Sequence, residues 1–166
     1  MYEHLKSLEP SGIPLLGGLR RLTADQAAAI RQTHPDAPPE YLSFLLEIGW
    51  GGWNDELGYT AYNFFNTLEN AALSYFRDDL IYEDDEDHLG AKGVVWLFGC
   101  DSTGEAFGFD SGDKWQLVRI DTCRSVMRLR MSFAEFVEGL LACYPHQPVS
   151  YVGGRWVDSV GDFYPA

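Results

Sequence analysis

Apolar positions follow a helical spacing early and late in the chain and a strand-like one between. Thr23-Ala-Asp-Gln26 has the form of a capping box, and Leu22 before it is placed to staple onto Ala27. The helix it opens is predicted to run to about His34, where Pro35 stops it. Pro38-Pro39 opens a second helix with Tyr41, Phe44, Leu45 and Ile48 on one face, ended by Gly49. Trp50 to Glu56 reads as a loop and Tyr59 to Phe65 as a short aromatic strand. Thr67 then reads as the cap of a helix carrying Leu68, Ala71, Ala72, Tyr75 and Phe76 at helical spacing.

Asp78 to Asp87 is too self-repelling to be core and is expected to be an exposed loop. Beyond it, Val94 to Phe98 is a continuous apolar run, as in a buried strand. The turn Asp101-Ser-Thr-Gly104 leads to Ala106 to Phe109, and Asp110-Ser-Gly-Asp113 leads to Trp115 to Ile120. Val126 to Met131 forms a fourth segment. Ser132-Phe-Ala-Glu135 is a second capping box, opening a helix with an apolar stripe of Phe133, Phe136, Val137, Leu140 and Leu141. Val149 to Val152 and Arg155 to Asp158, joined by Gly153-Gly154, suggest a hairpin.

Helices, then a meander, then a helix predict an α+β fold rather than the strand-helix alternation of a parallel sheet. The expectation is an antiparallel meander sheet with helices packed on one face, the other face being solvated or a binding surface. With no repeat or linker, residues 1–166 read as one domain, with a core over about 20–142 and a C-terminal extension over 143–166.

Composition narrows the class. Of 166 residues, 46% are hydrophobic, which argues against disorder, and no run approaches the length of a membrane span. The start, MYEHLKSLEP, lacks the apolar stretch of a signal peptide, so a cytoplasmic location is expected. Cys100, Cys123 and Cys143 show no CxxC spacing and read as reduced, mostly buried thiols. The four histidines are scattered, with no HExxH.

Charge changes the picture most. The net charge is -13, yet residues 40–113 hold 16 acids against two bases, Arg77 and Lys92, while the rest carries 9 acids and 10 bases. Such a field disfavours nucleic acid and anionic membranes and speeds encounter with basic partners.

The search for chemistry finds no GxSxG, no phosphate loop and no dinucleotide fingerprint; Gly49-Trp-Gly-Gly52 is followed by Asn54. Carboxylate pairs carry no signal in a chain with 25 acids. Asp101, Glu105, Asp110 and Asp113 are oxygen ligands close in sequence, but the calcium-loop pattern is missing, and turns favour Asp and Gly anyway. The expectation is therefore no catalytic residue, no metal and no cofactor.

Three landmarks stand in order: Pro39-Glu-Tyr-Leu-Ser-Phe-Leu46 running into Ile48-Gly-Trp-Gly-Gly52, then Trp96 to Asp110, then Met131-Ser-Phe-Ala-Glu-Phe-Val-Glu-Gly-Leu-Leu141. This resembles the SUKH superfamily, in the branch named for the yeast cell-wall assembly regulator, over roughly residues 20–142. Each motif alone is mostly caps and turns; the specificity lies in their order. The chain departs from the pattern at Trp50 and Trp53, in the acidic run and in the tail. The resemblance implies a non-enzymatic immunity protein that binds and neutralises a toxin, many such toxins being nucleases with basic grooves. Its rivals are a protein- or peptide-binding regulatory adaptor and, from another class, a carboxylate-dependent hydrolase.

On this reading the partner is a basic protein toxin domain. The candidate partner-binding residues are Trp50, Trp53, Asp55, Glu56, Asp84, Asp85, Asp87 and Asp101. Tryptophan is enriched at interface hot spots, although both indoles could equally pack under neighbouring loops. The acidic run either steers a basic partner or is simply solvated. Monomer or dimer stays open.

Overall fold

The computed structural model describes residues 2–8, 19–54, 60–70, 91–101, 103–123, 125–143, 149–152, 155–158 and 163–164. Both capping boxes form. α2 (Ala24–Thr33) begins where Thr23 Oγ1 accepts from the Gln26 N–H at 3.3 Å and Gln26 Oε1 accepts from the Thr23 N–H at 2.9 Å. α4 (Phe133–Cys143) begins with the same exchange between Ser132 and Glu135, at 3.2 and 2.7 Å. Between them, α3 (Pro39–Glu47) starts at its proline and buries Tyr41, Leu42, Phe44 and Leu45. Gly49 follows it with φ +133°, and a Cβ there would stand 2.8 Å from the Arg20 carbonyl, so both backbone angle and space demand glycine.

Two expectations fail just after this turn. Trp50 to Glu56 is not all loop: Trp50 and Arg20 exchange backbone hydrogen bonds at 2.8 and 2.9 Å, and β1 (Gly51–Asn54) follows. Gly-Gly-Trp-Asn carries no strand alternation of its own; it is a strand because a neighbour supplies ladder partners. That neighbour, β2 (Thr60–Asn70), runs eleven residues, so Thr67 and Leu68 are strand residues and not a cap and first helical turn. Leu68 is buried and Thr67 exposed, the alternation of a pleated strand, and the register slips between Phe64 and Glu69. Ala71, Ala72, Tyr75 and Phe76 lie outside the described residues, as does the run Asp78 to Asp87.

The meander appears as expected. β3 (Val95–Asp101), β4 (Ala106–Asp110), β5 (Gln116–Ile120) and β6 (Val126–Arg128) complete a six-stranded sheet in the order β1-β2-β3-β4-β5-β6, every pair antiparallel. The protein is thus α+β. The fourth segment, expected to run to Met131, leaves the ladder sooner: after Arg128 a last bond, Leu129 N–H to the Leu117 carbonyl, ends it. The C-terminal hairpin also forms, with β7 (Val149–Val152) antiparallel to β8 (Arg155–Asp158), and β9 (Phe163–Tyr164) adds a third strand.

One face of the large sheet meets the helices through aromatic rings. Phe98 lies 5.0 Å from Phe133 and 5.7 Å from Phe136, and Tyr41 lies 5.8 Å from Phe109, between ring centres. Phe133, Phe136 and Val137 form the buried stripe of α4; the side chains of Leu140 and Leu141 lie outside the described residues. The core also starts earlier than residue 20. A short helix, α1 (Glu3–Leu8), brings Tyr2 and Leu5 into it, and Tyr2 Oη donates to the Glu40 carbonyl at 2.7 Å. The opposite face, expected to be either solvated or a binding surface, is buried at its centre. Val95, Val118, Ile120 and Val126 form a second cluster there, each at most 2% exposed. The continuous apolar run of β3 reflects a strand buried on both sides.

Candidate partner-binding surface

Sheet topology decides which of the sequence-derived candidates lie together. Trp53 pairs with Tyr62 and Tyr62 with Asp101, so these three occupy one row across β1, β2 and β3. Asp55 and Glu56 lie outside the described residues, in the β1–β2 connection, which attaches at that same end of the sheet. Asp84, Asp85 and Asp87 also lie outside them, in the connection that leaves β2 after Asn70 and rejoins before β3. In an antiparallel meander those attachment points fall at the opposite end. The two connections that carry these acids therefore attach at opposite ends of β2.

Trp50 is one of the two indoles singled out from the sequence. It is half-buried against the aromatic core, with the Arg20 guanidinium 5.9 Å from the centre of its ring. The side chain of Trp53 lies outside the described residues. Asp101 is spent locally: its carboxylate accepts from the Thr103 N–H and hydroxyl at 2.9 and 2.8 Å and from the Glu105 N–H at 2.9 Å. This is an Asx-type turn, the reason aspartate suits the position. Glu105 forms an ion pair with Arg119.

The other two acids of the calcium-like cluster build a clasp. Asp110 has no exposed surface; its carboxylate accepts from the N–H groups of Lys92 at 2.6 Å, Gly93 at 2.9 Å and Gly112 at 3.0 Å. Asp113 pairs with Lys92 Nζ at 3.0 Å and Arg128 Nε at 2.7 Å, which holds its carboxyl below the usual aspartate range. The backbones of Gly93 and Gly112 pass so close that a Cβ on either would stand 2.5 Å from the other's nitrogen. The clasp fastens the β4–β5 turn to the segment leading into β3, where the acidic connection ends. Among the described residues no group of three or more His, Cys, Asp or Glu could hold a metal ion.

The thiols were expected to be mostly buried. Cys100 is half-buried, with its pKa raised by burial and by neighbouring Asp101, but Cys123 is exposed, standing in the turn before β6 rather than on a strand face.

A cleft of about 380 Å³ escaped the sequence reading. Its walls come from Asp36, Pro38 and Pro39 before and at the start of α3, Trp115 and Gln116 after the β4–β5 turn, and Met131 and Phe133 at the start of α4. Lys114 and Trp115, which close the turn, have φ +56° and +60°. Left-handed backbone is uncommon for a lysine and an outlier for a bulky aromatic; it costs of order 1–3 kcal/mol when held in place. Here it sets the half-buried Trp115 ring 6.4 Å from Phe109 and 6.1 Å from His34, which lies 4.3 Å from Trp96. Partial burial lowers the His34 pKa. Nothing in Asp-Ser-Gly-Asp-Lys-Trp announces two left-handed residues, since the glycine that usually signals them stands two places earlier. Prolines at 38 and 39 and a tryptophan beside a turn were the available hints.

Comparison of the chain with protein-family models, with curated proteins and with solved structures finds no match.

Proposed function

We propose that this chain is a non-enzymatic immunity protein of the SUKH type. It acts in the cytoplasm by stoichiometric binding, covering the basic, nuclease-like groove of a polymorphic toxin. The observation that carries the reading is where negative charge is left over. Within residues 40–113, the acids described on the framework are largely committed to it. Glu40 accepts from the Ala134 N–H at the start of α4, Glu47 pairs with Lys6, Asp101 closes its own turn, Glu105 pairs with Arg119, and Asp110 and Asp113 form the clasp. Glu69 is exposed on β2. The nine other acids of that segment fall in the two connections, 55–59 and 71–90, which attach at opposite ends of β2. Excess charge on connections, with most framework acids of that segment compensated, suits steering of a basic partner toward a rigid body.

The test begins with the neighbouring gene, which on this reading encodes a toxin domain, and measures surface plasmon resonance against that domain across a salt series. Association slows as salt rises, because screening shortens the field to about 10 Å at 0.1 M ionic strength. Replacing Asp84, Asp85 and Asp87 with Asn lowers the on-rate and barely moves the off-rate. No binding to that domain, or a flat salt dependence with unchanged kinetics in the triple variant, overturns the reading.

A further inference from the structure

We infer that the Trp115 cleft is a socket for one guanidinium side chain, an arginine presented by a basic protein partner. The walls include the half-buried Trp115 indole and a surplus of acceptors. Asp36 is exposed at the edge of the cleft and makes no hydrogen bond or ion pair among the described residues. Glu40, also lining it, uses one carboxylate oxygen, Oε2, on the Ala134 N–H at 3.1 Å, which leaves Oε1. Gln116 donates through Nε2 to the Leu129 carbonyl at 2.6 Å, which fixes its amide and turns the remaining oxygen into an acceptor. Two carboxylates and an amide oxygen call for a ligand rich in donors, and a guanidinium has five donors and no acceptor. Its planar, weakly hydrated group also stacks on an indole, which a compact ammonium does less well.

Among the described residues that line the cleft, one is a cation. Lys114 is exposed on the same turn, in left-handed backbone next to Trp115. Its charge opposes the guest, so removing it strengthens binding. The contrast with Trp50 supports the assignment: that indole already has the Arg20 guanidinium over its ring, an internal example of the pairing proposed here, whereas Trp115 lines the cleft.

The source of the arginine, a basic partner, rests on the function proposed above; the socket itself is tested without one. N-acetyl-L-arginine amide is titrated into the intact chain by two-dimensional NMR, with N-acetyl-citrulline amide as the uncharged isostere. The expected result is a saturable shift of the Trp115 indole N–H with the arginine compound and little with citrulline. Asp36→Asn weakens binding by about threefold to fivefold, the scale of one exposed charge contact. Lys114→Ser strengthens it by a similar factor. Trp115→Gly abolishes the response and identifies the indole signal; glycine accepts the positive φ, so this variant keeps the turn. Asp36 is exposed, so its change tests binding without threatening the fold. Equal shifts with citrulline, or an indole signal that does not move, overturn the socket. Either result leaves salt-dependent partner binding through the acidic connections standing, because those residues are no part of the cleft.

Discussion

The two faces of the six-stranded sheet are buried by different means. On the helix-covered face, large rings from the sheet, α3 and α4 meet edge to face, Phe98 touching Phe133 and Phe136 at the centre. On the other face the apolar cluster is small and aliphatic, Val95, Val118, Ile120 and Val126, and next to it lies Asp110, a carboxylate with no exposed surface. The first face is held by area and shape. The second depends on a polar group being completely satisfied, since an unpaired buried carboxylate costs several kcal/mol. The first face therefore tolerates chemically similar replacements, and the second does not at Asp110.

The largest expected effect is on the aromatic face. Phe98→Ala removes a ring contacted from both sheet and helix and costs about 3–5 kcal/mol in urea denaturation, whereas Phe98→Leu retains much of that. Asp110→Ala follows at about 3 kcal/mol, the lower end of the cost of breaking a buried charged network. Asp110→Asn, though isosteric, recovers little, because an amide presents N–H groups toward N–H groups. Full recovery by Asn would show that shape governs this face as well. Ile120→Val, on the aliphatic side, costs roughly 1 kcal/mol, as deletion of one buried methylene does. Ser132→Ala costs about 1 kcal/mol through loss of the N-cap of α4.

Acid separates the two sides further. Burial lowers the His34 pKa, so the folded chain resists a proton that the unfolded chain accepts. His34 therefore favours folding above the ordinary histidine value of 6.5 and loses that contribution as pH falls through 6.5 toward the folded value. Asp113, held low by Arg128 and Lys92, favours folding above 3.8 and loses its contribution only as pH falls below that, through its folded value. An NMR titration of His34 with a midpoint below 6.5, and loss of the clasp's protection from amide exchange only in the lower window, is the expected pair of results. A His34 midpoint at or above 6.5 would break the distinction.

Much of this framework is readable from local chemistry. Thr23 with Gln26 and Ser132 with Glu135 place two helix starts to the residue, because a capping box is satisfied within four residues. Asp101 and Asp110, each followed by a glycine two or three places on, mark the turns of the meander. Of the candidate site, less could be read. Trp50 was selected for its residue type, yet what decides its role is Arg20, thirty positions earlier, lying over its ring. Trp115 went unselected because its exposure depends on left-handed backbone and on walls from three separate segments.

The sequence by itself determined the helix caps, the turn positions, the antiparallel order and the confinement of excess charge to residues 40–113, all of which depend on neighbours a few residues apart or on composition. Tertiary structure alone decided that Gly51–Asn54 is a strand, that the second face of the sheet is buried, that Asp110 is a clasp and that the acidic connections attach at opposite ends of β2. Each of these depends on a partner distant in the chain. Hydrogen bonds and burial act through space, and residue type along the chain does not say which distant backbone will arrive.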